Sequence, residues 1–466
     1  MRSEPSITEL SVTDAPDSRV AAEGGTALHR SLGALFGVAV SVGSMIGVGI
    51  LRIPGLVVGH VGSTGWAVLV WVAGAAYVML CVNYMSELAG MVPRSGGVYV
   101  FAERTLGRFG GTVVGWSDLL NSVFAMALLA VALAEFTGEL FPALRTSTAS
   151  LAATIICGLT VLNLHSVKLA AGTQELTSLL KLAILWLLAL TCLAFGPPAG
   201  NPSAGVHAGA VAPWSAAGAI AAFQLVLGAL NGWAAPAYFG AEAQDSRLGV
   251  PKAMLYGALL VSATYLLINV AIFHVVPVSE LIDSKLPVAA ALERLASAHG
   301  WGRGLGETLC VAVAVVSLPS TLQAVMMQTS RTLHAMSVDG LFWRWGALVN
   351  ERGTPFNATL TCGAIAVLLA TTSTFETLFV TFTVFAVLNN LILLCGVVRM
   401  RRLEPDLPRR FRVIGYPWTL VPIVIVDVIV FAGFASSNLR QCLFSAALVA
   451  GLYVAYRVHR RDRVPT

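Results

Sequence analysis

Charge is scarce in this sequence: Asp, Glu, Lys and Arg make up only 11% of 466 residues, against 56% hydrophobic residues and a mean hydropathy of +0.78. A soluble domain spends about a quarter of its residues on charge, so a water-soluble globular protein is excluded. Cysteine in loops is lacking too. All seven cysteines (Cys81, Cys157, Cys192, Cys310, Cys362, Cys395 and Cys442) fall inside apolar stretches, where a thiol behaves as a small apolar group rather than a disulfide partner or metal ligand. There is no CxxC pair and no histidine cluster, and no metal or other cofactor is expected. His165, His274 and His334 are scattered near span ends without a nucleophile or acid to face, which argues against a membrane-embedded enzyme. The glycine-rich GRFGG at residues 107–111 lacks the Lys-Ser or Lys-Thr ending of a phosphate-binding loop. Any work this chain does therefore draws on gradients or exchange, not on ATP.

What is present is long apolar sequence. A window of about 19 residues finds about twelve stretches able to cross about 30 Å of hydrocarbon, joined by short polar loops. They run over residues 32–58, 66–90, 109–135, 149–165, 173–195, 215–243, 253–277, 306–336, 357–373, 376–398, 416–434 and 440–458. The runs are continuous, not alternating, which excludes a β-barrel. The fold class expected is an all-α polytopic membrane protein. With both termini in the cytoplasm, 22 of the 29 basic residues fall on inside loops and tails, a bias that fixes orientation in the cell membrane. The net charge of +5 then reflects loops facing anionic lipid and calls for no nucleic-acid partner. Residues 1–30 are polar and of mixed charge, without an apolar core or cleavage site, and read as a disordered cytoplasmic tail. Residues 461–466 form a second tail. The connection from Pro277 to Gly304 has apolar residues at helical spacing and reads as an amphipathic helix lying along the surface.

Two spans are interrupted. The first carries GSMIGVGILRIP from Gly43 to Pro54, and its glycines allow the helix to break at membrane depth. Unpaired amides and carbonyls there are tolerated only where they line a cavity or a ligand. The alternative is a glycine face for close helix packing. The sixth span carries LVLGALNGWAAPAYFG from Leu225 to Gly240, where glycine and proline follow in quick succession. The two interruptions begin two five-helix blocks, a pattern that points to an inverted-repeat transporter with a site at the midplane. Two independent kinks are the competing reading.

These stretches, with three more in order, resemble the amino acid-polyamine-organocation superfamily. The others are SELAGMVPRSGGVYVFAERTLG after the second span, QTSRTLHAMSVDGLFWRWGALVNERGTPFNATL after the eighth and RMRRLEPDLPRRFRVIGYP after the tenth. The similarity covers about residues 30–460 and is nearest to the L-type amino acid transporters. It implies a LeuT-type fold of 12 transmembrane helices: a transport core at residues 31–400, made of inverted repeats at about 31–196 and 214–400, with discontinuous helices 1 and 6, then two peripheral helices at 415–460. It implies a sodium-independent transporter of neutral L-amino acids, working by exchange or proton symport. The alternatives are a carrier of cationic amino acids or polyamines, and a non-transporting sensor.

The resemblance also assigns residues. The substrate carboxylate falls on the amides of Val48 and Gly49 with Ser44 nearby, and the ammonium on the carbonyls of Met45, Gly228 and Asn231, with Leu230 in the same stretch. Helix-end chemistry agrees with both placements. Gly228 stands where relatives often have an aromatic gate, leaving Trp233 and Tyr238 as gate candidates. Lys181, the one charge in the middle of the fifth span, matches a lysine that replaces a sodium ion. Ser317 and Thr321, four apart on one helical face, are its expected neighbours. A snorkelling lysine, and hydroxyls bonded to their own backbone, are the plainer readings. Arg52 is expected to pair with a carboxylate, Glu242 to hold helices together, and Asp118 and Asn121 to share one face of the third span, on the pathway or merely packed. The stretch Ala125–Leu133, AMALLAVAL, predicts an apolar pocket wall and hence an uncharged substrate side chain. The loop from Phe136 to Ser150 has no cysteine for a disulfide-linked heavy subunit, so a chain working alone as a monomer in lipid is expected.

Overall fold

Apolar stretches this long leave the backbone one way to satisfy its polar groups in hydrocarbon, the α-helix. The computed structural model describes residues 28, 32–165, 167–199, 214–245, 247–302, 304–373, 375–406 and 409–461, and their regular structure is helical, with two isolated β-bridges besides. The two expected tails lie outside the described residues except for residues 28 and 461.

The helices are α1 (Ala34–Met45), α2 (Gly49–Val61), α3 (Thr64–Met91), α4 (Val98–Leu140), α5 (Thr148–His165), α6 (Val167–Phe195), α7 (Ala216–Ala229) and α8 (Gly249–Val275). Two short ones follow, α9 (Val278–Asp283) and α10 (Pro287–Ala298). Then come α11 (Leu305–Val338), α12 (Phe356–Thr372), α13 (Phe375–Leu403), α14 (Leu420–Ser437) and α15 (Leu439–Arg461). Among the described residues seven helices are long and apolar enough to cross a membrane, or nine if two bent pairs each count as one span. One such pair is α1 with α2, bent by 48°, and the other is α14 with α15, bent by 108°. The helices α7 and α12 are apolar but shorter.

Local chemistry sets several of the ends. Ser63 caps α3 by accepting from the Trp66 amide at 3.2 Å, and Ser215 caps α7 by accepting from Gly218 at 3.0 Å. Gly62 closes α2 in the left-handed conformation, its amide on Val58 O at 2.8 Å.

Three sequence expectations change. The segment before the third span is helical: Val98–Leu106 joins α4 across a kink at Gly107, whose φ of 78° and ψ of −175° interrupt the helix. The sixth span, expected over 215–243, is helical only to Ala229, then runs as turns and a 3-10 helix over Ala235–Tyr238. The amphipathic α10 turns its apolar face inward, burying Val288, Ala291, Leu292 and Leu295 and packing on α11, α2 and α8 instead of on lipid.

Around the breaks, α1 packs between α6, α8 and α11, and α2 packs on α7. One end of the bundle is held by ion pairs. Arg331 of α11 makes a two-pronged pair with Glu242, both contacts at 2.7 Å, with side chains only 3% and 1% exposed. Nearby, Arg94 bonds both oxygens of Asp339 at 2.8 and 2.7 Å. Burial works to lower the Arg94 guanidinium, yet the Asp339 carboxylate holds it above its ordinary pKa. Glu87 of α3, fully buried, takes Arg401 at 2.5 Å, Arg409 at 3.2 Å and the Val413 amide at 2.7 Å, fastening α3 to α13 and the chain beyond it.

Candidate substrate site and its cation

At the first break α1 ends on Ile46, whose φ of −82° and ψ of 91° leave the helix, and α2 starts at Gly49. Carbonyls freed by such a break need donors from elsewhere, since water is excluded at this depth. Neighbouring helices supply them. Lys181 Nζ reaches Gly43 O at 3.2 Å, Ile46 O at 3.0 Å and Thr321 Oγ1 at 3.1 Å, while Thr321 itself donates to Ile46 O at 2.7 Å. The lysine is 1% exposed and does not snorkel. It sits as a cation sits in an oxygen cage, joining α1, α6 and α11. Ser317, one turn before Thr321, is buried but makes no hydrogen bond to it. Met45 O accepts from the Gly47 amide at 3.1 Å and from the Tyr265 hydroxyl at 2.9 Å.

The other side of the break has no such cover. Val48 caps α2 without a side-chain acceptor, and its carbonyl takes the Leu51 amide at 3.1 Å; Val48 and Gly49 line the cavity at the positive end of the helix dipole. At the second break α7 ends with the Leu230 amide on Val226 O at 3.0 Å and the Asn231 amide on Gly228 O at 3.4 Å. Gly232 follows with φ of 109°, and its amide is taken by Asn231 Oδ1 at 2.8 Å.

The two breaks touch. A Cβ on Gly232 would lie 2.8 Å from the carbonyl carbon and oxygen of Ser44, and one on Gly49 would lie 2.9 Å from the Ala229 Cβ. Gly43, by contrast, faces Gln174 and Ser178 of α6, so the glycine-rich stretch serves close packing as well as the break. Gly232→Ala adds a side chain where both conformation and space forbid it. We expect a loss of about 1–3 kcal/mol in stability, read as a lower thermal unfolding midpoint, together with impaired function.

Between the breaks lies a cavity of about 290 Å³. Ser44, Met45, Val48, Gly49, Gly228, Asn231, Tyr238 and Thr321 line it, with Ala125, Leu128 and Leu129 of α4 as an apolar wall. Gln328 of α11 fixes the Ser44 hydroxyl at 2.6 Å. Arg52 lies at one rim, 3.6 Å from Glu135 and 4.9 Å from the Phe136 ring centre. Leu230 is buried and does not line the cavity. Trp233 lines a second, adjoining cavity of about 140 Å³. Tyr238 borders both, its hydroxyl donating to Asp118 Oδ1 at 2.8 Å, while Thr332 donates to Asp118 Oδ2 at 3.0 Å. Asn121, bonded to Phe382 O at 2.8 Å, also borders both cavities.

A family model described as amino acid permease matches residues 32–453, nearly the whole described bundle. The chain belongs to the amino acid permease family. This permease is 30% identical to an uncharacterized transporter of Mycobacterium tuberculosis, over 74% of each chain. It is 26% identical to the serine/threonine exchanger SteT of Bacillus subtilis, over 66% of this chain and 68% of that one. It is 24% identical to the branched-chain amino acid permease BcaP of the same organism, over 96% of both. It is thus a multi-pass membrane transporter of amino acids, not an enzyme.

Sequence reasoning missed several partners. Gln328 and Thr332 stand in the polar run QTSRT of α11 and Tyr265 in an apolar stretch of α8, but nothing in a linear pattern says which carbonyl or hydroxyl each one meets.

Proposed function

We propose that this permease moves uncharged L-amino acids across the cell membrane by alternating access, without sodium, in exchange or with a proton. The observation that carries the reading is the meeting of two broken helix ends across one cavity. The bare amides of Val48 and Gly49, beside Ser44, suit an α-carboxylate, and the carbonyl end of α7 at Gly228 and Asn231 suits an α-ammonium. Met45 O already holds two donors and Gly228 O takes the Asn231 amide, so in this reading the Asn231 carbonyl carries more of the ammonium. Ala125, Leu128 and Leu129 favour an uncharged side chain, as do the serine, threonine and branched-chain substrates in the names of two relatives.

In this reading the fold is of LeuT type with 12 spans. The pair α1–α2 forms span 1, α7 with the 3-10 turn forms span 6, and α14 and α15 are peripheral. The repeats fall at about 31–196 and 214–400, and the Arg331 end is cytoplasmic, in keeping with the distribution of basic residues. Lys181 with Thr321 replaces a bound sodium ion, Tyr238 and Trp233 serve in occlusion where Gly228 offers no bulk, and the chain works without a disulfide-linked subunit.

The test is uptake by the purified protein in proteoliposomes, using labelled amino acids with and without internal substrate and a pH gradient. Saturable uptake of neutral amino acids is expected. Strong uptake of arginine or glutamate without competition by any neutral amino acid would overturn the substrate class.

A further inference from the structure

The run LVPIVIVDVIVF of α14 carries one charge, Asp427, and it is 1% exposed. Its Oδ1 accepts from the Tyr77 hydroxyl and its Oδ2 from Asn390 Nδ2 at 2.7 Å. The same Asn390 amide donates to Tyr77 Oη at 2.9 Å, and Asn390 Oδ1 accepts from the Tyr84 hydroxyl. Every donor in this network is neutral. A carboxylate buried in a membrane protein ordinarily has a cation beside it or carries a proton.

No cation lines the space it faces. Asp427 borders the 140 Å³ cavity, whose lining among the described residues includes no Lys, Arg or His. The groups around it are Tyr77, Cys81 and Tyr84 from α3, Asn389 and Asn390 from α13, and Gln224 from α7, which is bonded to Val430 O at 3.1 Å. From α4 a second carboxylate, Asp118, opens on the same cavity, held only by the hydroxyls of Tyr238 and Thr332. Asn389 adds an independent sign: it is 6% exposed, lines the cavity, and its Oδ1 has no hydrogen-bond partner. Acceptors thus surround a space with no positive charge.

We propose that this second cavity is a proton-binding site, with Asp427 taking the proton, and that its occupancy is linked to amino acid movement through the neighbouring cavity. Only the link rests on the amino acid reading above; proton binding does not. Each Asp427 oxygen carries one donor, and a carboxylate offers about four lone-pair sites, so a proton adds to a free one without displacing either. The step is a proton transfer: a hydronium ion gives up one O–H bond and leaves as water, and its proton forms a new O–H bond on the carboxylate. Two charge-assisted hydrogen bonds then become neutral ones, about half as strong. One of these ties α14 to α3, so protonation loosens the hold on α3. Gly228, Asn231 and Tyr238 border both cavities and connect the event to the substrate.

Two measurements on the full-length protein and Asp427→Asn test this. In detergent, infrared difference spectra during a pH titration should contain a protonated-carboxyl band that the variant lacks. In proteoliposomes, amino acid uptake by the wild type should change about tenfold between about pH 5.5 and pH 7.5, and uptake by the variant less than about twofold. An unchanged band in the variant overturns the site, and an unchanged pH profile overturns the link. If no amino acid moves in the wild type, the transport reading fails while the band still decides proton binding. Loss of uptake confined to amino acids with cationic side chains would assign the cavity to the substrate and overturn the proton.

Discussion

Lys181→Met is expected to lower the initial rate of amino acid uptake by about a hundredfold or more while leaving the protein folded. Methionine keeps most of the buried stem but removes the charge and all three donated contacts, to Gly43 O, Ile46 O and Thr321 Oγ1. Hydrogen bonds from a charged donor are worth about 1.5–3 kcal/mol each. Losing two of them in one conformation of the cycle reaches a hundredfold in rate, which is about 2.7 kcal/mol. Thr321 still donates to Ile46 O at 2.7 Å, so the break keeps one of its fastenings and the helices stay packed. Replacing external sodium by choline should leave the wild-type rate unchanged, because two cations within about 5 Å in a medium of low dielectric repel by several kcal/mol. A steep sodium dependence, or normal uptake by Lys181→Met, would remove the lysine from the transport cycle.

Breaking the Arg331–Glu242 pair should produce the largest loss of stability in the chain, about 3–5 kcal/mol for Arg331→Met. Both partners are almost wholly buried, and the guanidinium also lies 4.7 Å from the Phe239 ring centre. Removing one partner strands the other charge without solvent, which costs far more than the pair contributes by existing. The double variant Arg331→Met with Glu242→Gln should therefore recover much of the loss. Thermal unfolding of the three variants beside the wild type checks this, and a double variant no more stable than Arg331→Met would contradict the argument.

The all-α membrane character was legible because hydropathy and span length are set by the bilayer, and each of the twelve expected spans overlaps a helix. The interruption of the sixth span was legible in Gly228, Asn231, Gly232 and Pro236, but an apolar run reads the same whether it is helix or turn, so nothing in it showed that Ala235–Tyr238 would be a 3-10 helix. The cation cage was legible in part. A lone lysine in an apolar helix announces itself, and Thr321 follows from helical spacing, but the same spacing also named Ser317, which is buried without reaching the lysine. Asp427 shows the limit. It stands out in its helix as plainly as Lys181 does, yet its partners lie 350 and 37 residues away, and no local pattern joins them.

The packing of α9 on α2 offers a way to watch this protein at work. A Cβ on Gly55 would collide with the Leu281 carbonyl, so α2 and α9 meet backbone to backbone with no room to slide. The next helix, α10, packs on both. Whatever swing α2 makes, this outer hairpin must share. Ser297 sits exposed near the end of α10 and lines neither cavity. A fluorophore attached there would act as the needle of a gauge, reporting the tilt of α2 in real time while leaving the residues that line both cavities unaltered.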